Sequence, residues 1–192
     1  MNIRATPFPG VMVIEPRKFS DQRGFFLENF EEQRYRAAGV AESFVQDNHS
    51  RSVKNVLRGL HFTRQKPQAQ ILTVISGAIF DVVVDVRPDS RTFGCWFGTE
   101  LTAGATCQVY MAAGFAHGFC VLSDVADLHY KVSQRYDPQD DGGIHWNDPD
   151  LAIAWPVTRP IVSFKDEQHP RLRDAFARPV KGAVKIGLGG AR

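Results

Sequence analysis

The sequence predicts an all-β fold, an antiparallel sandwich or barrel of which the jelly roll is the leading form. Two observations carry that reading. Short apolar runs recur along the 192 residues, each bounded by turn chemistry, and only one convincing helix interrupts them. Neither an internal repeat nor a second composition regime appears, so residues 1–180 read as one domain, long enough to bury a sizeable core. The Gly-rich end, residues 181–192, reads as a loosely held tail.

In chain order, strands are expected at residues 10–16, 25–30, 44–48 and 70–75, with a strand-like frame around residues 56–62. Residues 31–38 form the expected helix, closed by Gly39 in the manner of a C-cap. Residues 79–86 make the clearest strand. Phe80, Val82, Val84 and Val86 share one face, while Asp81 and Asp85 lie on the other with Ile79 and Val83. Ser76-Gly77 before it and Arg87-Pro88-Asp89-Ser90 after it are turn formers. Further strands are expected at 95–101, 108–111, 118–121 and 126–136, with short helical turns at 151–155 and 171–176.

The formal charge of +2 is close to balance, and no basic run interleaved with aromatics appears, which argues against a nucleic-acid partner. Cys95, Cys107 and Cys120 have no C-x-x-C spacing and read as reduced thiols of a cytoplasmic protein. The start of the chain has no signal-peptide pattern and no apolar run is long enough to span a bilayer, so no membrane partner is expected.

The densest chemistry lies in Phe44-Val-Gln-Asp-Asn-His-Ser-Arg51 and Val56-Leu-Arg-Gly-Leu-His61-Phe62. Gln46, Asp47, Asn48, Arg58 and His61 stand in an apolar frame that a core strand would keep free of polar groups. Each costs roughly 1–3 kcal/mol if buried unpaired. They must therefore meet other protein groups in a barrel wall, or a ligand rich in hydroxyls and negative charge. Arg23, at a turn before Glu28, reads either as half of a surface salt bridge or as a fork for phosphate.

Six histidines make a metal site the first thing to test. Jelly-roll metal sites usually offer two histidines one residue apart, then a carboxylate, then a later histidine. Here Phe62 and Thr63 follow His61, although His117 falls where the later ligand belongs. That is a poor ligand set for a transition metal, and none is expected. Cofactor-free acid–base chemistry fits better. His61 can exchange protons near neutral pH, given an orienting carboxylate from Asp166, Asp81 or Asp85. Tyr130 is a candidate acid, or simply a packed strand tyrosine.

Together these segments resemble the dTDP-4-dehydrorhamnose 3,5-epimerase family. The likeness runs from about Gly10 to Asp166 and takes in Phe19-Ser-Asp-Gln-Arg-Gly-Phe-Phe26, the two polar segments above, Gly114-Phe-Ala-His-Gly-Phe119, Tyr130-Lys131 and Gly143-Ile-His-Trp-Asn-Asp-Pro149. It implies a cupin-like jelly roll with a few short peripheral helices, and a homodimer whose subunits exchange strands and share active sites. No metal or organic cofactor is implied. By position, His61 resembles the general base, Asp166 its orienting carboxylate and Tyr130 the general acid. Arg23, Glu28, Gln46, Asp47, Asn48, Arg58, His117 and Lys165 match nucleotide-sugar contacts, and Tyr136 the aromatic that stacks on thymine.

Three positions depart from the family pattern. The segment after the histidine, Pro67-Gln-Ala-Gln-Ile-Leu-Thr-Val74, is one residue short, and the family lysine falls on or beside Gln70. A neutral amide donates a hydrogen bond but does not neutralise an oxyanion. Asp141 stands for a family glutamate and Ala112 for a proline. Epimerisation at C3, C5 or both, a different 4-keto sugar, a 3,4-ketoisomerase and a non-catalytic binder all remain open at this point.

Overall fold

The computed structural model describes residues 1–177, so the expected tail at 181–192 lies outside the described residues. Two antiparallel sheets face each other as a jelly-roll sandwich. The larger contains β1 (Asn2–Ala5), β2 (Val11–Glu15), β10 (Gln108–Met111), β7 (Gln70–Ser76), β12 (Val125–Val132) and β5 (Gln46–Val53), in that spatial order. The smaller runs β13 (Asp141–Gly143), β6 (Leu57–Thr63), β11 (Phe115–Val121), β8 (Ala78–Asp85) and β9 (Trp96–Thr102). A separate hairpin joins β3 (Lys18–Asp21) to β4 (Gly24–Leu27). Among the described residues no helix is long and apolar enough to cross a membrane.

Between the sheets, Val13, Leu72, Val74 and Leu128 meet Ile79, Val83, Phe97 and Phe115. The even face of β8 is not exposed. Phe80, Val82 and Val84 are covered by Ile144, Leu151 and Leu172 from the C-terminal stretch. That second layer explains why β8 is apolar on both faces, as a strand buried on both sides must be. On the far side of the larger sheet, Tyr35 and Val40 pack over Ile14, Ile71 and Tyr110.

Helix α1 (Glu32–Ala37) lies where expected. The Glu31 carboxylate accepts from the Gln33 and Arg34 amides at 3.0 and 2.8 Å, and Gly39 closes the end at φ +99°. The helical turn expected at 151–155 does not form. The Leu151 carbonyl accepts from Trp96 Nε1 at 3.0 Å and Ala152 takes φ +45°, so burial under β9 overrides local propensity. The strand expected over 126–136 stops at Val132, which leaves Tyr136 in the following loop. The sequence offered no warning of α2 (Phe164–Glu167), whose Ser163 Oγ accepts from the Asp166 amide at 3.1 Å. The turn expected at 171–176 is α3 (Leu172–Phe176).

Candidate active site

An opening of about 370 Å³ enters the sandwich between the sheets, lined by His61, Tyr130, Gln46, Asn48, Gln70 and Asp141. It continues inward into about 150 Å³ bounded by Arg58, His117 and Ser50. Together these spaces suit a small polar ligand. His61 comes from β6 in the smaller sheet and Tyr130 from β12 in the larger, so imidazole and phenol stand on opposite walls.

Arg58 and His61 are three residues apart, which in a regular strand would send them to opposite faces. The ladder between β6 and β11 carries the correction. His61 pairs with His117 and Arg58 with Phe119, so one strand holds an extra residue and both side chains turn into the cavity. Gly59 makes this fit. Its φ is +112°, and a Cβ there would sit 2.5 Å from Gly118 Cα.

Asp166, delivered by α2, accepts from His61 Nε2 at 2.6 Å. Its other oxygen faces the Gly59 amide at 3.4 Å. Burial alone would raise its pKa. The facing His169 and His61 rings and the Gly59 N–H outweigh burial and hold it well below the usual carboxylate range. His61 therefore carries its proton on Nε2, and Nδ1 makes no hydrogen bond among the described residues. Burial pushes the Tyr130 phenol up, while the Arg58 charge works against that shift.

The two other carboxylates considered for His61 are committed elsewhere. Asp81 bonds His117 Nε2 at 2.6 Å, and Asp85 accepts from Arg87, Ser90 and Thr92. Arg58 Nε donates to Ser52 Oγ at 3.0 Å. At the rim, the Tyr136 amide donates to Gln46 Oε1 at 3.1 Å and its hydroxyl to Asp141 at 3.0 Å; Lys165 pairs with the same Asp141 carboxylate. Gln46 Nε2 donates to Asn48 Oδ1 at 2.8 Å, and Gln70 Nε2 to Gln68 Oε1 at 3.2 Å.

Three expected contacts do not join this cluster within one chain. Asp47 sits on the outer face of β5, where it accepts from Lys131 Nζ at 2.7 Å. The alternation along β5 that turns Gln46 and Asn48 inward turns Asp47 outward. Arg23, at the tip of the β3–β4 hairpin, pairs with Asp21, and Glu28 with Arg34. Neither lines the cavity. Lys66, the one lysine near the missing family position, pairs with Asp137 at 3.4 Å. In the other direction, sequence reasoning passed over His169, whose ring meets that of His61 edge-on at 5.7 Å. Its i,i+3 spacing from Asp166 on a helical turn was the available signal.

A jelly roll with a carboxylate-steered imidazole facing a phenol across a polar opening defines a cupin-type acid–base isomerase. The model of the dTDP-4-dehydrorhamnose 3,5-epimerase family matches residues 5–174, and the chain belongs to that family. The dTDP-4-dehydrorhamnose 3,5-epimerase of Escherichia coli K12 is 49% identical over 171 residues, covering 88% of this chain and 92% of the relative. A dTDP-4-dehydrorhamnose 3-epimerase from Streptomyces niveus is 42% identical over 177 residues, covering 91% and 86%. The crystal structure of a dTDP-6-deoxy-D-glucose-3,5-epimerase from Legionella pneumophila in complex with dTDP-4-keto-L-rhamnose superposes with TM-score 0.87 at 44% identity, covering 90% of this chain and 93% of that one.

Proposed function

We propose that this protein epimerises a dTDP-linked 4-keto-6-deoxyhexose at C3 and C5. One observation carries the reading: His61, held by Asp166, and Tyr130 face each other from opposite sheets across one opening. The 4-keto group acidifies the C–H bonds beside it. His61 Nδ1 takes that proton and becomes imidazolium against the Asp166 carboxylate, while the C–H electron pair moves onto the ketone oxygen as an enolate. Tyr130 returns its phenolic proton to the opposite face, the carbonyl re-forms and the carbon is inverted; the imidazolium then gives its proton to solvent and the tyrosinate takes one back from it. A positioned base contributes about 10²–10⁴-fold. Arg58 at the inner end supplies positive charge for the enolate, and Gln70 a neutral N–H.

Gln70 favours a second reading, inversion at C3 alone, since it lines the opening beside His61 and Tyr130 with an amide in place of a cation. A relative 42% identical to this chain is named a dTDP-4-dehydrorhamnose 3-epimerase. Both readings are tested by incubating dTDP-4-keto-6-deoxyglucose with the protein in deuterated buffer and following the product by NMR. Deuterium at C3 and C5 is the expected result. Label at C3 alone selects the second reading, and a migrated carbonyl or an unlabelled sugar overturns both. Gln70→Lys is expected to speed exchange at the slower carbon by about tenfold, because a charged donor to an oxyanion is roughly twice as strong as a neutral one. An unchanged labelling pattern and rate would remove Gln70 from the argument.

The protein acts as a homodimer in this proposal. The hairpin leaves Phe19, Phe25 and Phe26 49–68% exposed, a patch that a free monomer does not normally carry. Pairing subunits through it lets the hairpin of one present Arg23 and Glu28 to the cavity of the other, where a diphosphate needs cationic partners. Sedimentation at assay concentration should give twice the chain mass, and an active monomer would contradict it. Free Cys95, Cys107 and Cys120 suit a reducing cytoplasm.

A further inference from the structure

We propose that His61, Asp166 and His169 form a site for a divalent ion of the zinc class, whose occupancy turns the acid–base centre off. The inhibitory half rests on His61 being the base; the binding half does not.

Two imidazole nitrogens and one carboxylate oxygen are the donor set that such ions prefer. Here one ring nitrogen of His61, one of His169 and a carboxylate oxygen of Asp166 lie within 4.8 Å of one another. Zinc binds these ligands at about 2.0–2.2 Å, which places the ligand atoms of a tetrahedral site roughly 3.4 Å apart. His169 Nε2 already stands 3.5 Å from Asp166 Oδ1. His61 Nε2 is 2.6 Å from the same oxygen, a contact that must lengthen by less than an ångström, and that side chain is 40% exposed on the cavity wall. Three protein ligands leave the fourth position open, the arrangement of a site that exchanges its ligands.

A second observation points the same way. His169 is 91% buried as a side chain, yet its Nε2 has no hydrogen-bond partner of good geometry. A buried polar nitrogen left in that state is destabilising unless a ligand satisfies it. The ring packs against the Gly143 backbone, where a Cβ would lie 2.3 Å from its Cδ2 and Nε2. The nitrogen stands 3.5 Å from Asp166 Oδ1.

The consequence for His61 follows from counting protons. With Nε2–H donated to Asp166, the lone pair sits on Nδ1 and is free to accept a substrate proton. An ion takes the Nε2 lone pair, so the neutral ring must carry its hydrogen on Nδ1. One proton moves between the two nitrogens through water and none is gained or lost. The nitrogen assigned as base then has no lone pair.

The test is titration of the EDTA-stripped full chain with ZnCl2 by calorimetry, beside turnover with and without zinc. Wild type, His169→Gln, His169→Asn and Cys107→Ser are compared, each scored against its own zinc-free rate. Cobalt(II) replaces zinc for a visible d–d spectrum that reports nitrogen and oxygen ligation. We expect one ion per chain, inhibition reversed by EDTA, and affinity at least about tenfold weaker in both His169 variants, with Cys107→Ser unchanged. Equal affinity in the His169 variants, or uptake lost in Cys107→Ser, overturns the site while leaving His61 as the base. His169-dependent binding with full turnover overturns the switch and the assignment of His61 together. Two variants at His169 keep the result readable if one fails to fold.

Discussion

His61→Asn and Asp166→Asn are each expected to lower kcat by about 10²–10⁴-fold with little change in dTDP affinity. The first removes the proposed base outright. The second acts through the tautomer: an amide at position 166 donates to His61 Nε2, so the ring hydrogen moves to Nδ1 and the nitrogen facing substrate loses its lone pair. The 2.6 Å contact between the two groups makes this coupling direct. Asp166 is held well below the usual carboxylate range by its neighbours, so it stays ionised at every pH where the enzyme is assayed. The acid limb of the pH–rate profile therefore does not belong to Asp166. Initial rates together with dTDP binding by calorimetry check both variants, and wild-type turnover in either would end the dyad assignment.

Tyr130→Phe is expected to separate two events that the wild-type enzyme joins. Proton removal by His61 continues, so hydrogen at the reacting carbon still exchanges with deuterated solvent. Return of a proton to the opposite face falls by about 10²-fold or more, so label enters with retention of configuration. The environment supports this role: burial raises the phenol pKa, and the opposing Arg58 charge does not cancel it. A raised pKa keeps the phenol protonated to higher pH, so activity should persist past the ordinary tyrosine range before it declines. That alkaline decline should vanish in Tyr130→Phe. Inversion at the wild-type rate in this variant would place the acid elsewhere.

Much of this was legible in the residues. Alternation at Phe80, Val82 and Val84, turn formers at both ends and a scarcity of helix signals sufficed for an all-β reading, because strand periodicity is a local property. The buried faces of β8, the irregular path of residues 151–155 and the end of β12 at Val132 were not legible. Each depends on what packs from a distant part of the chain. Among polar residues, Gln46 and Asn48 turn inward and Asp47 outward by the same alternation, which becomes decisive only once the inner face is known.

His61, Arg58 and Tyr130 were readable as candidates because polar groups in apolar strands demand a partner. Residue types alone left three carboxylates for His61, of which the family resemblance pointed to Asp166. Only the tertiary structure commits Asp166 to it, by folding a capped turn of the C-terminal stretch against β6, while Asp81 and Asp85 are taken by His117 and by the Arg87 turn. Only the extra residue around Gly59 brings Arg58 to the side of His61, and only that fold carries His169 to the same carboxylate. Residue types and their spacing thus determine which chemistry the chain can perform. Which groups share it is decided by long-range packing, since no local rule brings together atoms that are more than a hundred residues apart along the chain.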